Sequence, residues 1–484
     1  MTSIEKIFSN VLVDIVPTKK EIEKTERIIS KIKNLLASKA TELNIEYTKI
    51  EAQGSTGIKN TQLKGDFDID LFIGLDYEKY NQNYKGLSKN KLKKELKKLF
   101  LKYCNTWIIK SLQKESFSEP KLLYAEHPYV TVYYLMDHNK IKVDIVLYFD
   151  LTLEYIDRHG PITAVDRSPW HGRFIRDNLS NLQKNDVRLL KQFFKAAHCY
   201  GDKSAVGKVG FIGYSAELLI YYFGDLLTLF KGFHELETTP LDYHNRSEKE
   251  LNEITHFQND YLIITDPIDN NRNVASAISE RAYKYCNYLI CKFLEKASES
   301  YFEISAIQKA DLTKFDEEKI SHYFVVELFN EDNDVHYTVN RDKLYSLADS
   351  IKATGEREYS HDKRFGSIEF ELYFDDSLNE YDIVFYVEQP KISDTYLRQG
   401  PPLSEKFHIK KFKVKNPNFI IKDGHLWTEA KRDYSNFNSF LSSYVHENMP
   451  ENFKITNISN ASLLKTSLAK KALYILDNMV LPFI

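Results

Sequence analysis

Cysteine is scarce in this sequence: four residues in 484, Cys104, Cys199, Cys286 and Cys291, scattered along the chain. Cys286 and Cys291 lie close together, yet no second pair and no nearby histidine completes a zinc site. The pattern argues against a disulfide framework and predicts reduced thiols in a cytoplasmic protein. Long apolar runs are also missing. No stretch of eighteen apolar residues occurs, and the opening MTSIEKIFSNVLVDIVP carries Glu5 and Asp14, so neither a membrane span nor a signal peptide is expected. Nor does one sign of charge dominate. Sixty-six Lys and Arg against 69 Asp and Glu leave a formal net charge of -3, without the global basic signature of a nucleic-acid binder. Any grip on RNA has to come from a local basic surface offset by acidic ones elsewhere. Internal repeats and low-complexity tracts are absent too.

What remains is an ordinary globular balance, 43% apolar and 28% charged, with a mean hydropathy of -0.44. At 484 residues and 56.7 kDa the chain exceeds what one hydrophobic core organises, which predicts two to four domains. Most of the 32 Tyr and 30 Phe are expected in those cores. A capping box, Thr18 with Glu21, opens a helix through Leu43, its apolar residues at helical spacing. Short strands follow around Glu46–Gln53 and Asp68–Gly74, then a Lys-rich amphipathic helix over Lys89–Leu112 whose charges read as a solvated face. His127–Asp137 and Lys140–Phe149 alternate like paired strands joined by an Asp137-His138-Asn139 turn. Helices are predicted over Asp186–His198, Tyr214–Phe230 and Glu280–Ala297. From Tyr323 the segments HYFVVELF, GSIEFELYF and YDIVFYVE read as strands, with a helix over Arg341–Lys352. Met449–Ser467 reads as an Asn- and Ser-rich connector to a final helix over Ser467–Met479. The class is α+β and multidomain: 1–165 a first α/β or α+β domain, 166–300 mainly helical, 301–484 α+β.

Three carboxylates carry the chemistry. In Asp68-Ile69-Asp70 strand alternation puts both acids on one face and Ile69, Leu71 and Ile73 on the other. Asp144 in KIKVDIVLY repeats the design, and adjacent strands would bring the three acids together. Clustered carboxylates repel unless a cation joins them, and magnesium (Mg2+) is the hard, oxygen-seeking ion for the purpose. Two such ions about 3.5–4 Å apart stabilise the attacking and leaving oxygens of a phosphoryl transfer. Gly54-Ser55, ending a strand thirteen residues before Asp68, supplies an exposed turn whose amide and hydroxyl can meet phosphate oxygens. Taken alone, each element has a plain alternative: surface alternation for the acids, a polar helix stripe for Lys191 and Lys195, a core imidazole for His171, a surface ion pair for Arg272.

Gly-Ser, a Lys/Asn/Thr stretch, Asp-Ile-Asp-Leu and a later Val-Asp-Ile form the signature of polymerase-β-like nucleotidyltransferases. Downstream, EHPYVTVYY, AVDRSPWH, DVRLLKQFFKAAHCYG, GFIGYSAELLI and DPIDNNRNVA occur in order, followed by IEFELYF, Gly400–Pro402 and GHLWTEAKRDYSNF. In these blocks the chain resembles the archaeal-type (class I) CCA-adding tRNA nucleotidyltransferases over nearly its whole length. The resemblance implies a nucleotidyltransferase domain over 1–165, a helical nucleotide-pocket domain over 166–300 and a tRNA-binding body and tail over 301–484. It implies template-independent addition of C, C and A from CTP and ATP to the tRNA 3′ end, with the acceptor arm as partner, a homodimer permitted and no membrane contact. By the same resemblance Asp68, Asp70 and Asp144 hold the metal, and Gly54 and Ser55 bind the triphosphate. Ser168 and His171 line the nucleotide pocket, Lys191 and Tyr200 contact the triphosphate, and Arg272 helps to read the base. Departures from the family pattern are an extra residue in the turn after Ser55, which leaves open whether Ile58 or Lys59 fills the basic position, Gln62 for Trp, Val146-Leu147-Tyr148 after Asp144, and Ser168 for Thr. Two other readings share parts of the signature: an oligoadenylate or cyclic-nucleotide synthase, and a degenerate RNA-binding relative without turnover.

Overall fold

A computed structural model describes residues 3–84, 86–124, 127–136, 139–332 and 335–484. Asp137 and His138 of the expected turn, and Glu126 of EHPYVTVYY, lie outside these residues. The chain divides into two compact units: Met1–Tyr200 with Phe211–Ile278 and Asn287–Ile304, and Gly201–Gly210 with Ser279–Cys286 and Ser305–Ile484. No helix among the described residues is long and apolar enough to cross a membrane.

The first unit is built on a five-stranded sheet of β1 (Lys49–Gln53), β2 (Ile69–Leu75), β3 (Lys121–Tyr124), β4 (Pro128–Leu135) and β5 (Lys140–Phe149), in the order β1-β2-β5-β4-β3. β2 and β5 run parallel at its centre and every other pair is antiparallel. Alternation decides the faces. Ile141, Val143, Ile145 and Leu147 are buried, while Lys142, Asp144 and Val146 stay half-buried on the other side. The helix Lys19–Glu42, started by the Thr18/Glu21 capping box, sets Ile28, Ile32, Leu36 and Ala40 into the same core at i, i+4 spacing. Burial of Ile28, Ile32 and Leu36 contributes about 1.5–3 kcal/mol each. Trp107 joins them, its indole N–H donating to the Leu36 carbonyl at 2.8 Å.

The helical part of this unit includes Ser168–Asn178, Asn181–Ala196 and Gly213–Phe223. The helix expected over Tyr214–Phe230 is two. Gly224, at φ +86°, closes the first by donating to the Ile220 carbonyl, and Asp225 caps the second, Leu226–Gly232. Phe193, Phe194, Phe211, Phe230 and Phe233 are buried, Phe194 stacked on Phe211 at 4.2 Å, as the aromatic count predicts.

In the second unit β6 (Tyr323–Asn330), β7 (Ile368–Asp375), β8 (Glu380–Val387) and β12 (Phe453–Asn460) form an antiparallel sheet in the order β12-β6-β8-β7. The helices Tyr337–Glu356 and Phe437–Asn448 share its core. A smaller sheet is made by β9 (Thr395–Pro402), β10 (Ile420–Lys422) and β11 (His425–Lys431). β12 corrects the sequence reading, in which Met449–Ser467 is a connector. It is a polar edge strand, and its register against β6 slips between Ile455 and Asn457. The bulge destroys the two-residue period by which a strand is recognised. The α+β, multidomain class expected from the sequence is the one observed.

Candidate active site

The polar face of the central sheet is set by register. On β2 and β5, Asp70 stands directly beside Asp144, and on β4 Thr131 stands opposite Asp144. Asp68 lies one residue before β2. Asp144 is held from both sides: Thr131 Oγ1 donates to Oδ1 at 2.5 Å and Lys142 Nζ donates to Oδ2 at 2.8 Å. Burial, followed by the charges of Asp144 and Asp68, pushes the Asp70 carboxyl up to about 7. Burial raises Asp68 as well, with Asp66 and Asp144 adding to it against the pull of Lys142. The cluster therefore lacks positive charge for the acids it holds. Among the described residues no three His, Cys, Asp or Glu side chains form a ready-made metal cage. Lys142 and Thr131 occupy the oxygens that Asp144 would offer. The donor chemistry nevertheless fits a hard divalent cation: carboxylate oxygens only, crowded together and short of positive charge.

β1 ends beside these acids, with Gln53 paired to Asp70. The chain then turns at Gly54, φ +70°, where a Cβ would sit 2.5 Å from Asp70 Oδ2, so only glycine fits. A single π-helical turn, Ser55–Lys59, follows, closed by the Asn60 N–H on the Ser55 carbonyl, which also accepts from the Thr61 N–H at 3.0 Å. The helix Asn181–Ala196 clamps this turn from below. Arg188 donates to the carbonyls of Gln62 and Asn60 at 2.9 and 2.7 Å. Lys191 Nζ donates to the Thr61 carbonyl, to Thr61 Oγ1 and to Glu217 Oε1 at 3.2, 3.0 and 3.3 Å. Glu217 also takes Lys59 Nζ at 2.7 Å and Thr61 Oγ1 at 2.6 Å. Burial alone would raise Glu217, but Lys59 and Lys191 hold it down at about 2.

A cavity of about 460 Å³ opens over the acids, of the size that small-molecule sites occupy. Asp70 and Asp144 line it with Gly54, and so do Ser168, His171 and Arg272. Lys59 is on its wall, over the Tyr214 ring at 4.7 Å, while Ile58 presses against Gly172. Of the two candidates for the basic position after Ser55, Lys59 is the one that lines the cavity. Arg272 and His171 meet at one carboxylate, Asp266, which is wholly buried. Arg272 Nη1 donates to its Oδ2 at 2.9 Å, His171 Nε2 lies 2.7 Å from the same oxygen, and Tyr214 donates to Oδ1 at 3.1 Å. Burial by itself would raise Asp266, but His171 and Arg272 hold it well below the usual carboxylate range. Burial lowers the pKa of His171 against the pull of Asp266, and its ring stacks on Tyr214 at 4.4 Å.

Asp68, Ser55, Lys191 and Tyr200 are not among the residues lining the cavity. The Lys191 ammonium is turned into the protein because a buried cation must be paired, and burial lowers its pKa despite Glu217. Tyr200 lies under the Lys195 ammonium at 5.5 Å. Arg272 sits in a loop tied back on itself, its carbonyl accepting from the Asp266 N–H at 2.9 Å. Reading the sequence missed Asp266 and Glu217 as organisers. Glu217 did leave a trace, as the lone acid in the apolar run GFIGYSAELLI.

A family model described as tRNA nucleotidyltransferase, second domain, matches residues 185–303. A CCA-adding enzyme of Methanococcus maripaludis is 29% identical over 475 residues, 93% of this chain and 96% of its own. One from Methanocaldococcus jannaschii is 28% identical over 469 residues, 95% of this chain and 94% of its own. A solved cytoplasmic RNA terminal U-transferase aligns with 63% of this chain and 99% of its own, at TM-score 0.44 and 14% identity. The carboxylate strand pair, the glycine turn and this end-to-end likeness agree: the chain is similar over nearly its whole length to the archaeal CCA-adding enzymes and carries the second domain of a tRNA nucleotidyltransferase.

Proposed function

We propose that this chain adds C, C and A to the 3′ end of tRNA from CTP and ATP, without a nucleic-acid template, by phosphoryl transfer that depends on Mg2+. Nucleotidyltransferases generally use divalent metal ions. Magnesium is the choice that carboxylate oxygens favour, with Asp68, Asp70 and Asp144 as its ligands. The observation that carries the reading is the Asp70–Asp144 pair on parallel strands, facing a cavity that also presents Arg272 and His171. When bound, the metal ions supply charge stabilisation and a more acidic attacking hydroxyl.

The chain's own residues do the rest. Gly54 and Ser55 present an amide and a hydroxyl to phosphate oxygens, and Lys59 adds a positive charge. Lys191 holds the turn in shape through Thr61, and Tyr200 supports the same helix end, so both act on the triphosphate through the turn. Ser168 and His171 bound the nucleotide, and Arg272, fixed by Asp266, reads the base edge. We assign 1–165 to catalysis, 166–300 to the nucleotide pocket and 301–484 to tRNA, held through backbone phosphates and 2′-hydroxyls. The exposed Lys410, Lys411, Lys413 and Lys415 on the helix Lys406–Lys415, and Lys431, are the contacts.

The test incubates the protein with labelled CTP or ATP, magnesium and tRNA lacking its CCA end. The expected result is label in tRNA, up to three residues added, abolished by chelator. Oligoadenylate or cyclic products formed without tRNA would replace this reading by a synthase, and no turnover at all by a degenerate RNA binder.

A further inference from the structure

One ammonium group, that of Lys142, is bonded directly to a carboxylate of the cluster. Lys142 precedes Asp144 by two residues on β5, so alternation gives them the same face. Its ammonium donates to Asp144 Oδ2 at 2.8 Å, and the Thr131 hydroxyl takes Oδ1. No oxygen of Asp144 is left without a hydrogen-bond partner. The Lys142 side chain keeps 35% of its exposure against 17% for Asp144, so it can swing out to solvent while Asp144 cannot. Half-buried, the pair is a modest structural tie. Its position has a larger effect, because a divalent ion and an ammonium repel strongly when they share one carboxylate.

We propose that Lys142 is a resident counter-cation that a divalent metal must displace from Asp144. In the metal-free protein it partly neutralises three mutually repelling acids. Asp144 would serve a divalent ion only once the ammonium has left it for solvent, so Lys142 sets the metal concentration at which the site fills. This rests on the metal-ligand reading of Asp68, Asp70 and Asp144.

The test is Mn2+ titration of nucleotide-free protein, followed by calorimetry and by loss of the free-ion EPR signal. Wild type is compared with Lys142→Met, Lys142→Gln, Lys142→Arg and Asp144→Asn. Removing the charge is expected to tighten Mn2+ binding about tenfold, the order expected for ammonium–cation repulsion at a partly solvated site. Lys142→Arg should bind as wild type and Asp144→Asn more weakly. Without metal, Lys142→Met and Lys142→Gln should melt below wild type, and saturating Mn2+ should close that gap. Unchanged or weaker Mn2+ binding by both neutral variants, with Asp144→Asn still impaired, would overturn the displacement and leave the metal site standing. Failure of wild type and both neutral variants to bind Mn2+ would remove the metal reading itself.

Discussion

At the scale of single residues, the acids and the base-reading arm answer to different measurements. Asp70→Asn and Asp144→Asn each remove a carboxylate that a metal needs. Loss of charge stabilisation in a transition state costs about 10²–10³-fold or more in rate, so incorporation should fall to background in single-turnover assays. Asp70→Asn should not harm the fold, because Asp70 is held against burial and its neighbours' repulsion and amide replacement relieves both. A melting point at or above that of wild type, with no incorporation, is the expected pair of results. Arg272→Ala should instead damage choice. A site that pairs with one base edge penalises the wrong edge by leaving buried groups unpaired, about 1–3 kcal/mol each. CTP and ATP efficiency should drop by about a decade or more, and relative UTP misincorporation should rise. Asp266→Asn should reproduce that loss of discrimination through Arg272, because the amide offers its partners a weaker acceptor. It should also lower the melting point, which Arg272→Ala should change little. Arg272 and His171 stand out in the sequence as chemically able side chains in recognisable blocks. Asp266 does not, because nothing in DPIDNNRN says that His171 and Tyr214, from distant segments, join Arg272 on its first residue.

At the scale of elements, the helix Asn181–Ala196 matters more than its polar stripe suggests. Lys191 lies on it at i, i+4 from Lys195, a spacing that reads equally as a solvated face or as a ligand contact. The structure gives it a third task, the support of the Asn60–Gln62 segment from inside. That distinction depends on Glu217, carried on another helix 26 residues away, and no local pattern records it. The strands fared better, because alternation of Ile69, Leu71 and Ile73 with Asp70 states which face is wet. Glu217→Gln tests the support directly. It leaves the ammonium groups of Lys59 and Lys191 buried around a neutral partner, and such unbalanced charge costs about 3–5 kcal/mol. The pH dependence has a definite sign. Glu217 falls from an ordinary 4.5 to about 2 on folding, so its contribution is fully present above about 4.5 and is lost as pH falls toward 2. Urea unfolding midpoints of wild type and variant should differ by a constant amount above pH 5 and converge below it.

At the scale of the whole molecule, a net charge of -3 conceals a strongly basic helix, Lys406–Lys415. Exchanging Lys410, Lys411 and Lys413 for Gln together should weaken tRNA binding uniformly across tRNA species. Each lost phosphate contact should flatten the slope of log affinity against log salt by about 0.7–0.9. An unaltered slope in filter-binding or anisotropy titrations would place the contact surface elsewhere. The order of strands in the second unit has a different consequence, concerning synthesis. β6 lies inside its sheet, yet its neighbour β12 is made roughly 120 residues later, a delay of about 6–25 s at ordinary elongation rates of 5–20 residues per second. During that interval one side of β6 is a bare row of amides and carbonyls, able to pair with any passing strand. A nascent chain stalled before Phe453 should therefore be far more prone to aggregate than one released after Asn460, although both carry the complete nucleotide cavity.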